Sequence, residues 1–131
     1  MLWDEANDTL DIRGATAAGP GKLKLSTGEL TVVNGDILGR IDFQAPLEGS
    51  SSDSRLVGAS IWAEADDAFS GTNNETDIVF ATGSSETAAE KARLSKDGRL
   101  GVGTSANTSG AVDAKLHVCG AGQDYGGINL H

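Results

Sequence analysis

Residues 91–103 read KARLSKDGRLGVG. Two patterns compete for this stretch. The run just before it, SETAAEKARL at 85–94, is rich in helix formers, with Ser85 where an N-cap belongs. Against it stands Asp97-Gly98, a strong two-residue hairpin signal. Leu94 precedes it and Leu100 and Val102 follow it at alternating positions. The hairpin takes residues 91–103 and leaves at most one short helix near 86–91. With helix confined to so little of the chain, the fold class is all-β.

Working outward, the hydrophobic period is two. In VGASIWAEA (57–65), Val57, Ala59, Ile61, Ala63 and Ala65 point one way, and Gly58, Ser60, Trp62 and Glu64 the other. In ILGRIDF, Ile37, Gly39, Ile41 and Phe43 share a face opposite Arg40 and Asp42, with Gln44 next on that polar side. DIVFATG sets Ile78 and Phe80 on one side, and KLKLSTGELTVV (22–33) gives two alternating runs divided by Gly28. Alternation of this length predicts half-buried strands with the apolar set facing the core. NGD at 34–36, EGSSSDS at 48–54 and SGTNNET at 70–76 predict turns. Strands joined by polar turns without intervening helices predict antiparallel meanders.

The material for a core is thin. Of the 131 residues, Leu, Ile, Val and Phe together number 28, while 17 are Ala and 18 Gly. A lone chain of this kind buries little on folding, and glycine costs more backbone entropy to order than any other residue. Burial between chains is one remedy, so the composition points to an oligomer. The net charge is −9, and no basic residue lies between Arg55 and Lys91. Such a surface repels a phosphate backbone, which argues against nucleic acid and anionic membrane as partners. No run is long and apolar enough to span a bilayer, and MLWDEANDTL lacks the apolar stretch of a secretory signal. The single cysteine, Cys119, excludes an intrachain disulfide.

An internal repeat is visible. DTLDIRGATAAGPGKLKLSTG places Asp8, Leu10, Ile12 and Gly14 before a small-residue loop, then Lys22-Leu23-Lys24-Leu25 and Gly28. DGRLGVGTSANTSGAVDAKLHVCG places Asp97, Leu100 and Val102 before a similar loop, then Lys115-Leu116-His117-Val118 and Gly120. The two copies divide the chain into an N-terminal repeat (1–28), a central antiparallel β-module (29–95) and a C-terminal repeat with a tail (96–131). Units too small to bury their own apolar face need stacked neighbours or other chains.

GRLGVGT followed by AKLHV resembles a recurrent phrase in tail fibres of tailed bacteriophages, marine ones in particular. GDILGRIDFQAP, VGASIWAEA, DIVFATG and AAEKARLSKDG resemble the module that precedes that phrase, and LWDEANDTLDIRG a degenerate copy of it. The resemblance spans roughly residues 8–120. It departs where the first copy has Asp11 and Arg13 in place of Gly101 and Gly103, and no tip or autoprocessing domain is recognisable up to GGINLH, as expected of a fragment of a longer fibre or of a short structural protein. The resemblance implies a short antiparallel β-structure intertwined as a homotrimer, in the virion, assembled in host cytoplasm. It implies neighbouring fibre or tail proteins as partners, host-surface attachment as the context and no enzymatic role. In such a trimer Leu100 and Val102 face inward, and Gly101 and Gly103 let backbones approach a crowded axis. A bulge or ordinary turn is the alternative for those glycines.

Candidate chemistry is sparse, and no catalytic, cofactor or metal site is assigned. His117 and Cys119 lie two apart on one strand face, which makes them packing residues or, in threefold symmetry, metal ligands at an axis. Asp66, Asp67, Asn73, Asn74, Glu75 and Asp77 form an oxygen-rich loop pair whose spacing matches no EF-hand. Glu64 with Asp66, or Asp42 across the sheet, is the pair to test for glycoside cleavage. His131 is terminal. Trp62, opposite Ile61, packs against a neighbouring chain or the 66–76 loop, or else stacks on a sugar or anchors a partner. Two alternatives stay open beside the fibre: a carbohydrate-binding β-module contacting host glycans, and a polysaccharide-cleaving fibre domain.

Overall fold

A computed structural model describes residues 2–4, 9–15, 19–50, 52–103 and 116–118, the first and last of these as backbone. The described residues are nearly all β. Strand β1 (Leu2–Asp4) pairs with β2 (Thr9–Asp11) in a two-stranded antiparallel sheet. A second sheet runs β3 (Ile37–Gln44), β4 (Val57–Ala65), β5 (Thr76–Thr82), β6 (Ala89–Leu94), β7 (Leu100–Val102) and β8 (Leu116–Val118), in chain order. Its first five strands are an antiparallel meander, as the alternation predicts. The last pair differs: β8 runs parallel to β7. One 3₁₀ turn, Asp53–Arg55, is the only helical element among the described residues.

The helix allowed at 86–91 does not form. Ser85 has φ 71°, a left-handed conformation, where an N-cap residue takes an extended one. Beyond it, Ala89 and Glu90 pair with Thr82 and Ala81. The ladder offered by β5 outweighs a helical propensity worth only a few tenths of a kcal/mol per residue. The hairpin does form, with a longer loop than Asp97-Gly98 signals. Gly98 N–H donates to Ser95 O (2.8 Å) and Ser95 N–H to Arg99 O (2.9 Å). Only Gly98, at φ 73°, is left-handed there, so the connection is a three-residue loop rather than a two-residue one.

KLKLSTGELTVV is the other departure. Residues 22–33 join neither sheet, and residues 21–31 are all exposed. Alternation makes a strand only where a neighbour supplies a ladder, and the described chain supplies none to this run. Antiparallel hairpins occur near both ends of the described chain. Trp3 pairs with Leu10 in the first, and Leu94 with Leu100 in the second.

Gly98 has open space where a Cβ would stand, so its requirement is purely conformational. Gly98→Ala is expected to cost about 1 kcal/mol, read as a lower thermal midpoint in a circular-dichroism melt, while Gly98→Asn costs less.

Candidate functional site

Directly opposed residues share a face, so the register sorts the main sheet into two surfaces. One carries the rows Ile41, Ile61, Phe80 and Ile78, Leu94, Leu100. The other carries the rows Arg40, Trp62, Val79, Arg93, Gly101 and Asp42, Ser60, Ala81, Glu90. The strands therefore alternate as the sequence predicts. Burial runs the other way. Val79, Ser60, Ala81 and Asp77, all on the polar face, are 0–3% exposed. Ile61, Phe80 and Phe43 on the apolar face are 37, 41 and 54% exposed. Within one chain the sheet has turned its charged side into the covered side.

The polar face is covered by its own long side chains. Arg93 sits on β6 and reaches across three strands. Its Nη2 donates to Glu64 Oε1 and Glu90 Oε2, and its Nη1 to Asp77 Oδ2, each at 2.8 Å. Its Nε donates to Glu90 Oε1 at 2.9 Å. These bonds, those to Glu90 first, hold the guanidinium above its ordinary range. The other oxygen of Asp77 accepts from the Lys96 backbone N–H at 2.9 Å. Register puts Glu64 directly across from Asp77. Two like charges so placed repel, and Arg93 is what makes the pairing tenable.

A second cluster lies beside it. The Arg40 guanidinium stands 5.1 Å from the centre of the Trp62 ring, and its Nη2 donates to Ser60 Oγ at 2.8 Å. Ser60 Oγ donates to Asp42 Oδ1 at 2.6 Å. That bond, then the contact with Arg40, holds the Asp42 carboxyl below the usual carboxylate range. Trp62 Nε1 donates to Glu64 Oε2 at 2.9 Å, which joins the two clusters. Trp62 is thus engaged inside its own subunit, by a cation–π contact and a hydrogen bond.

The candidate carboxylates are dispersed and tied down. Glu64 meets Asp77 and Glu90 around Arg93, while Asp42 belongs to the Arg40 cluster. Asp66 lies 3.5 Å from Lys96 Nζ, which also binds Glu75. In the 66–76 loop, Asp67 accepts from the Ala68 N–H and from Asn73 Nδ2, and Asn73 Oδ1 from the Glu75 N–H. These side chains spend their oxygens on the turn itself. His117 occupies the register position opposite Gly101, Leu100 that opposite Leu116. Cys119 and His131 lie outside the described residues, as do residues 121–130. Gly103 has φ 85°, so its need for glycine is local to the turn; Gly101 is buried in β7 opposite Arg93.

The apolar face is the remaining feature. Its β3–β4 end forms an open groove of about 360 Å³, with Leu23 and Leu25 over Gly39, Ile41 and Ile61. Towards β6 and β7 the described residues lay no second layer on it. No protein-family model matches the chain, and no curated protein is similar to it in sequence. Among the described residues no helix is long and apolar enough to cross a membrane.

Sequence reasoning missed Arg93. The available signal was an arginine inside an apolar strand, between Ala92 and Leu94, but its three partners follow only from the register. Removing one member of a covered ion cluster leaves the others uncompensated. Arg93→Met is expected to cost about 3 kcal/mol near neutral pH. Urea melts of the variant and the parent at neutral pH read the loss.

Proposed function

We propose that the chain is a non-enzymatic structural segment of a phage-like tail fibre. Three copies close on one another through the apolar faces of their main sheets, and the assembly positions or contributes to host-surface attachment. It belongs to the virion and assembles in host cytoplasm. One observation carries the oligomer: on the apolar face of β3–β6, Ile41, Phe43, Ile61, Phe80 and Leu94 stay 37–54% exposed, while Ala65, Val79 and Ala81 are the buried hydrophobic residues among those described. A sheet that hydrophobic on one side needs a second layer, and identical copies supply it most simply under closed symmetry. The fibre context rests on the ordered phrases from GDILGRIDFQAP to AKLHV. The net charge of −9 keeps the outer surface solvated and disfavours nucleic-acid partners.

Glycan binding gains no support from Trp62, whose ring faces Arg40 and whose N–H is taken by Glu64. Light scattering tests the oligomer. Three copies of 13.4 kDa should scatter as about 40 kDa at micromolar concentration and resist SDS without boiling. Ile61→Asp, which puts a charge at the middle of the apolar face, should shift the mass to a single subunit. A parent chain that is compact and monomeric overturns the proposal.

A further inference from the structure

We propose that Asn34 is a site of spontaneous deamidation, restrained by the turn it helps to close and released when that turn opens. The inference stands apart from the oligomer and the fibre.

The chemistry starts from the sequence. Asn34-Gly35 is the one Asn-Gly pair in the chain. Asparagine side chains are thermally labile, most of all before a residue that cannot shield its own backbone nitrogen. The Gly35 nitrogen attacks the Asn34 side-chain carbonyl carbon. The new N–Cγ bond closes a five-membered succinimide, and the side-chain nitrogen leaves as ammonia. The proton lost by the Gly35 nitrogen is made up, through water, on that ammonia. Water then opens the ring at either carbonyl, which leaves aspartate or isoaspartate. Both residues are exposed, so water reaches them. Gly35 has open space where a Cβ would stand.

The structure holds both reacting groups elsewhere. The Gly35 N–H donates to Ala65 O at 2.8 Å, and Asn34 Nδ2 donates to Asp66 O at 2.5 Å. Attack needs the Gly35 nitrogen deprotonated and turned to its neighbour's side chain, and neither happens while it donates to Ala65. Four more bonds brace the turn. Ala65 N–H donates to Asp36 O (2.9 Å), Phe69 N–H to Val32 O (3.0 Å) and Asp36 N–H to Val33 O (3.1 Å). Val33 N–H donates to Asp36 Oδ2 at 2.8 Å. Residues 32–36 are thereby tied to residues 65–69, where β3 begins and β4 ends. An exposed turn opens at less cost than the sheet beside it, and each opening frees the two groups to react.

The product cannot rebuild the turn. A carboxylate donates no hydrogen bond, and at position 34 it faces the Asp66 carbonyl oxygen, an acceptor. Isoaspartate also lengthens the main chain by one carbon between residues 34 and 35, which carries the Gly35 N–H off Ala65. A brief opening is thus converted into a lasting one.

The test follows the parent chain and a synthetic peptide of residues 30–40 side by side at mildly alkaline pH. Mass spectrometry after a separation that resolves aspartate from isoaspartate reads the products. Both should convert at Asn34, the folded chain roughly tenfold or more slowly, because opening gives up at least two hydrogen bonds. Conversion at the peptide's rate overturns the restraint. No conversion in the folded chain after roughly a hundred peptide half-lives overturns the site. Asp36→Ala removes the acceptor for the Val33 N–H. It should bring the folded rate several-fold closer to that of a peptide with the same change, and an unchanged ratio overturns the turn as the restraint. Should that variant fail to fold, the parent comparison decides. Asn34→Asp reproduces one of the two products. In it the Ala65 and Phe69 amides should exchange hydrogen several-fold faster than in the parent; exchange at the parent's rate overturns the lasting opening.

Discussion

A β-sheet with one apolar face must lay that face against something. Here the face built from Ile41, Ile61, Ile78, Phe80, Leu94 and Leu100 stays 36–42% exposed in the single subunit. Full burial of a side chain of this size is worth about 1.5–3 kcal/mol, so half-exposure across six of them withholds several kcal/mol. Net stabilities of domains are only about 5–15 kcal/mol. The part withheld is comparable with the whole. With few large hydrophobics, the described residues of one copy do not build a second layer over this face.

The opposite face shows how the chain economises. Ser60, Val79 and Ala81 are small, and among the described residues Arg93, Arg40, Trp62 and Glu64 lie on the same face around them. Arg93 does this by bridging β4, β5 and β6 through Glu64, Asp77 and Glu90. A charged cover of this kind has hydrogen-bonding groups left to meet water. It therefore suits the outside of an assembly, and the apolar face suits the inside. The sheet is self-sufficient on one side and dependent on the other.

Much of this was legible in the residues. Ile37 to Gln44, Val57 to Ala65 and Thr76 to Thr82 alternate strictly, and alternation is a local property that the backbone obeys. Asp97-Gly98 marked a hairpin for an equally local reason, though the loop took one residue more. What escaped was non-local. Residues 86–91 carry helix formers, yet the edge of β5 captured Ala89 and Glu90. Residues 22–25 alternate as well as any strand, yet no ladder among the described residues receives them. The side of the sheet that is covered depended on which long side chains meet across the register. Trp62, expected against a neighbouring chain, the 66–76 loop or a sugar, meets Arg40 and Glu64 instead. Arg93 was invisible as a hub because its partners lie 3, 16 and 29 residues away.

The central claim, that identical copies share the apolar face, is tested most directly at Phe80. Its ring is 41% exposed in the isolated subunit, while the adjacent Val79 is fully covered. Hydroxyl-radical footprinting with mass spectrometry reads the two side by side on the untreated parent chain. Burial between copies predicts that Phe80 is protected almost completely, with oxidation appearing only on dilution or denaturation. Oxidation of Phe80 at the rate of a half-exposed aromatic ring, in a folded chain at micromolar concentration, would contradict it.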